Sequence, residues 1–170
     1  MLQRKNLVGR TIALGAALAC FGIAATLPAT AEASHYSLAD IPTLVESDKA
    51  ERLKQAGVGT TDELLQRAAK PKDRAALAKA SGLTTAALLD LARRCDLLRL
   101  KGVGPEMVLL LEAAGVRTAA DLAKRSSTDL TAAAASANQT RKISNKLPTE
   151  AQFQHWIAEA KKLPTVLVNK

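Results

Sequence analysis

Aromatic side chains are almost missing from this 170-residue chain, which has one Trp, one Tyr and two Phe. A surface that stacks unpaired bases needs exposed rings, so this composition argues against a single-stranded nucleic-acid binder. Histidine occurs only as His35 and His155, neither with partners at metal-ligand spacing, which speaks against a zinc site. The chain lacks a Gly-x-Ser-x-Gly elbow, a Walker loop and a dinucleotide fingerprint. Its carboxylates are scattered over helix starts and helix faces. The expectation is therefore no enzyme, no cofactor and no metal. Runs of β-branched residues are also missing until Thr165-Val-Leu-Val168, while Ala and Leu dominate, so the fold class is read as all-α.

The first stretch has the make-up of an export leader. Arg4, Lys5 and Arg10 form a basic opening, and Thr11 to Leu27 is apolar and uncharged. Pro28 breaks that run, and Ala31-Glu32-Ala33 supplies the small-x-small pattern that signal peptidases accept. Residues 1–33 are read as a signal peptide cleaved after Ala33, placing the mature protein in the periplasm or outside the cell. The alternatives are an uncleaved anchor and lipidation at Cys20, so any membrane attachment is expected through this N-terminal segment alone. The apolar run is short against the roughly 20 residues of a comfortable span. Once the leader is removed only Cys95 remains, which rules out an intrachain disulfide. With Leu91, Leu97 and Leu98 around it, Cys95 reads as a buried, inert thiol. The formal net charge of +8 falls only modestly with the leader and favours anionic partners.

What the chain does have is a phrase written twice. Leu53-Lys-Gln-Ala-Gly57-Val58-Gly-Thr60 returns as Leu111-Glu-Ala-Ala-Gly115-Val116-Arg-Thr118, and a leucine follows each threonine by four residues (Leu64, Leu122). Each phrase reads as a helix end, a left-handed glycine and the threonine cap of the next helix. In the first copy the pattern predicts helices from Asp48 to Ala56 with Ser47 as cap, after Thr60 up to Lys70-Pro71, from Asp73 to Ala80, and from Thr84 or Thr85 to Arg94. In the second, Gly104 and Pro105 open a helix that Gly115 closes. Thr118 and Ser126 start two more, residues Ser136 to Lys146 read as a loop or frayed helix, and Thr149 caps a last helix through Lys162. Trp156 is read as a core anchor of that half.

The candidate binding feature is the turn Leu100-Lys101-Gly102-Val103-Gly104-Pro105. Two glycines let backbone approach a ligand, and the helix start beyond them presents unbonded N–H groups that suit a phosphate. Lys101 lies in the turn, with Arg93, Arg94 and Arg99 just before it. Arg94, Arg99, Lys101, Gly102, Val103 and Gly104 are thus the candidate phosphate or DNA site, of a kind that grips a duplex backbone without reading sequence. The same turn also serves to pack two helices. At the matching place the first copy has Thr43-Leu44-Val45-Glu46-Ser47, without either glycine and with Glu46 and Asp48 beside the helix start, which opposes phosphate there.

These residues resemble a bacterial family numbered 4332 among domains of unknown function, whose members are tandem helix-hairpin-helix modules. The resemblance rests on Tyr36-x-Leu38-x-Asp40-Ile41, the two Ala-Gly-Val-x-Thr phrases and Leu83 through Leu89. It also rests on Asp96-Leu97-Leu98-Arg99-Leu100 running into Gly102-Val103-Gly104, and on the Trp156-Ile157 helix. It implies an all-α fold of tandem helix-hairpin-helix (SAM-like) modules packed together, and it implies no activity. The expected division is a leader over 1–33, a first module over 34–94, a second over 95–163 and a tail over 164–170. The function expected is that of an exported, non-enzymatic interaction module whose partner is an envelope protein, with sequence-independent DNA binding through Gly102-Val103-Gly104 as the alternative.

Overall fold

Threonines, prolines and glycines divide the chain into short helices in the computed structural model, which describes residues 35–168. The expected leader lies outside the described residues. A 3-10 turn at Leu38–Asp40 leads to α1 (Ser47–Gln55), α2 (Thr61–Ala68), α3 (Pro71–Ser81) and α4 (Thr85–Leu98). Then follow α5 (Pro105–Ala113), α6 (Ala119–Leu122), α7 (Ser127–Arg141) and α8 (Glu150–Ala160). The described residues contain no strand, only an isolated bridge between Ser37 and Thr60. The fold is all-α.

The repeated phrase is a repeated piece of backbone. α1 and α5 both have nine residues and the same register, and their last caps, Ala56 and Ala114, share φ −83° and ψ 7°. Gly57 and Gly115 follow at φ 77° and 80°, a region open to glycine at little cost. Val58 then donates to the Leu53 carbonyl and Val116 to that of Leu111, each at 2.9 Å. This satisfies carbonyls that a helix end otherwise leaves bare. Leu53, Val58 and Val116 are wholly buried and Leu111 nearly so, so each stop is also a hydrophobic contact. Thr60 caps α2 in a reciprocal box with Glu63, and Thr118 accepts from the Asp121 N–H at 3.0 Å.

α2 and α3 pack on α4, α5 packs on α7, and α8 closes the second half against α6 and α7. One hydrophobic core runs from Leu38 to Leu167. Trp156 and Phe153 meet edge to face within it, their rings 5.6 Å apart.

Several boundaries differ from the sequence expectation, each for a physical reason. Ser47 is the first helical residue of α1 rather than its cap; Glu46 precedes it, its carboxylate engaged by Lys49 Nζ at 2.9 Å. α4 continues a full turn beyond Arg94, because Cys95, Leu97 and Leu98 extend its buried seam and no glycine intervenes before Gly102. It therefore belongs to both halves, packing on α2 and α3 on one side and on α5 on the other. The polar stretch after Ser136 is helical to Arg141, and Lys142 turns left-handed at φ 51°. Asn138 holds that turn with both ends of its amide, donating to the Ser144 carbonyl and accepting from its N–H at 2.9 Å each. α8 stops at Ala160, short of Lys162.

The segment after Leu163, assigned above as a tail, runs back to the first half. Leu167 is buried, Val168 N–H donates to the Ala69 carbonyl at 3.0 Å, and Arg74 donates to the Val168 carbonyl at 3.2 Å. Among the described residues no single helix is long and apolar enough to cross a membrane.

Candidate functional site

The turn between α4 and α5 closes when Val103 N–H donates to the Leu100 carbonyl at 3.1 Å. Gly102 stands at φ 81°, which makes its identity necessary there. Gly104 occupies the cap of α5 without side-chain help, and Pro105, lacking an N–H, fills the first helical position. Val108 is the first residue to bond back into the helix, to the Gly104 carbonyl, so the N–H groups of Glu106 and Met107 precede the ladder. The backbone thus has the form that suits an anion.

The side chains around it are arranged for another purpose. Arg94, expected at a phosphate, donates from Nε to Glu112 at 3.0 Å and from a terminal nitrogen to the Leu44 carbonyl at 2.6 Å. Arg99, also expected there, lies with only 13% of its side chain exposed and donates to Asp96 at 2.7 Å and to the Pro164 carbonyl at 3.2 Å. Asp96 is itself buried and accepts from the Ala119 N–H at 2.9 Å with its other oxygen. Arg93 pairs with Asp90 at 3.0 Å. Of the candidate residues only Lys101 presents an exposed cation. Its carbonyl accepts from Trp156 Nε1 at 3.1 Å, and a Cβ placed on Gly102 would lie 3.6 Å from that nitrogen. Tyr36, from the lead-in to the first half, brings its hydroxyl to 3.9 Å from the place a Gly104 Cβ would take. Val103 is buried in the core.

Charge at the helix start also opposes phosphate. Glu106 is exposed in the first turn of α5, at the position that Asp48 holds in α1, so both helix starts carry an acid. The first turn forms without glycine because both Leu44 and Val45 donate to the Ile41 carbonyl at 2.9 Å. Leu44 then buries its side chain to 2% exposure and offers its carbonyl to Arg94. A cation expected to serve a ligand at the second turn thus secures the first turn to the shared helix.

The remaining reactive groups are quiet. Cys95 is buried, and loss of hydration there pushes its thiol up to about 12. His35 pairs with Asp62, and His155 lies 3.3 Å from Glu159 one helical turn on. Among the described residues no group of three or more His, Cys, Asp and Glu is placed to hold a metal.

Two hollows that share Leu163, one of them beside the second turn, have no signal in the sequence. One, of about 270 Å³, has Ala119, Ala120, Ala123 and Ala160 in its lining with Lys124 and Lys161. The other, of about 230 Å³, takes in Leu100, Lys101, Glu159 and Lys162. Leu163 lines both.

Two nine-residue helices in matching register, with α4 packed against elements of both halves, lie within an all-helical fold. The chain belongs to the family described as Domain of unknown function (DUF4332), which matches residues 44–163. Of the residues that carried the resemblance, Tyr36 to Ile41 precede the matched span. No curated protein and no solved structure matches the chain.

Proposed function

We propose that this protein is an exported, non-enzymatic helical module, built of two helix-hairpin-helix units, whose role is to bind another protein of the cell envelope. The observation that carries the reading is the inward commitment of Arg94 and Arg99. Both bridge parts of the fold instead of facing a ligand at the glycine turn. A turn whose cations hold helices together, beside an exposed glutamate, is a structural joint. The leader pattern of residues 1–33 supports the export of such a module beyond the inner membrane. The supporting experiment is chemical cross-linking in intact cells of the native host, followed by purification of this chain and identification of what it carries. A stoichiometric envelope protein is the expected result, and its repeated absence refutes the reading.

One observation favours DNA binding as the second reading: Lys101 is exposed beside the unbonded N–H groups of Glu106 and Met107. That reading requires duplex affinity that falls steeply with salt and weakens on Lys101→Glu. An anisotropy titration at low salt without duplex binding removes it.

A further inference from the structure

We propose that the face around Leu163 is the docking surface for an acidic, extended segment of a partner protein, one that sets an aliphatic side chain between carboxylates. The inference rests on the protein-binding reading and adds where and by what chemistry the partner is held. α6 lies against α8, and the alanines of the two helices give the first hollow an apolar floor, with Lys124 and Lys161 beside it. The second hollow, which shares Leu163 with the first, adds Lys101 and Lys162.

All four lysines are exposed, and none of them makes an ion pair among the described residues. The acids nearby do not answer them. Asp96 has both oxygens engaged, one by Arg99 and one by the Ala119 N–H. Glu159 buries one oxygen without a partner and turns the other toward His155. Four lysines without ion-pair partners along two hollows, the first floored by alanines, call for a partner with acids spaced about apolar side chains. A duplex backbone supplies the charge and leaves the alanine floor unfilled, so the peptide is the better fit.

The test uses the full chain as the host processes it. Three labelled probes are titrated by anisotropy at low salt: a peptide alternating Glu and Leu, a Glu-only peptide of equal charge, and a duplex DNA. The Glu-Leu peptide is expected to saturate and to bind more tightly than the Glu-only peptide. Joint Lys124→Glu and Lys161→Glu substitution is expected to weaken it about tenfold or more, because each reversal replaces an attraction by a repulsion. Lys79→Glu, at an exposed position of α3, makes the same net-charge change as the single variant Lys162→Glu and is expected to leave binding nearly unchanged. Lys162→Glu alone gives a smaller loss and serves if the double variant loses its helical circular-dichroism signal.

No saturable peptide binding, equal binding of the Glu-only peptide, or an equal loss from Lys79→Glu overturns the proposal. So does duplex DNA binding that is tighter than peptide binding and lost in the same variant. A cross-linked envelope partner whose capture survives the double reversal refutes this face alone and leaves the protein-binding reading intact. Failure to find any partner refutes both.

Discussion

Removing the Asp96 carboxylate tests whether the inward-turned arginines hold the fold. Asp96 and Arg99 expose only 6% and 13% of their side chains, so the pair lies largely out of water. Asp96→Ala leaves the guanidinium with the Pro164 carbonyl as its remaining partner and deprives the buried Ala119 N–H of an acceptor. Taking one partner from a buried ion pair costs about 3–5 kcal/mol. The carbonyl that stays on Arg99 puts the expected loss near the lower end, about 3 kcal/mol. In a domain of this size that is a fall in Tm of roughly 10–15 °C. Urea unfolding followed by far-UV circular dichroism measures it, with the slope of the transition expected to stay constant. Asp96→Asn, which keeps the shape and one acceptor, is expected to lose about half as much. Adding Arg99→Met to Asp96→Asn is then expected to recover part of the loss, since it removes the stranded charge. A loss below about 1 kcal/mol for Asp96→Ala, the range of exposed pairs, refutes the reasoning. So does strict additivity in the double variant.

Four further outcomes follow from the same geometry. Gly102→Ala forces a left-handed alanine at φ 81° and is expected to cost about 1–2 kcal/mol in thermal unfolding. Deleting residues 164–170 removes the burial of Leu167 and the bonds of Val168, for an expected loss of about 2–4 kcal/mol in the urea midpoint. Glu63 accepts from the Gly59 and Thr60 N–H groups, which holds its carboxyl below the usual range. Its contribution is present above the unfolded pKa and is lost as pH falls through the folded one, so Glu63→Gln should flatten the acid limb of the stability profile. Cys95 should resist a thiol reagent at mildly alkaline pH until urea unfolds the chain, as peptide mapping of the labelled residue will report.

Local chemistry was legible in the sequence wherever it acts within a few residues. Gly57 and Gly115 mark helix ends because only a left-handed residue lets Val58 and Val116 bond back. Thr60, Ser126 and Thr149 mark starts because each side chain caps an N–H three residues on. Destinations across long distances were not legible. Arg94 reaches Leu44 from 50 residues away, and Arg99 reaches Pro164 from 65. A basic run beside a glycine turn reads the same whether its guanidiniums face outward or inward. The burial of Leu167 was hidden for the same reason, since a short apolar end has no periodicity to show what it meets. The candidate site was therefore legible as a backbone shape, and its electrostatics were not.

A duplicated unit commonly keeps a linker, along which the copies can be separated. Here α4 takes the linker's place, with Leu88, Leu91 and Ala92 buried along it and Leu97 and Leu98 buried toward its end. Arg94, within the same rod, holds the Leu44 carbonyl of the first turn and Glu112 of α5. Neither copy can be excised whole, because each cut leaves one of them without a wall. The molecule is expected to melt as a single cooperative body, with its two turns held at one fixed spacing.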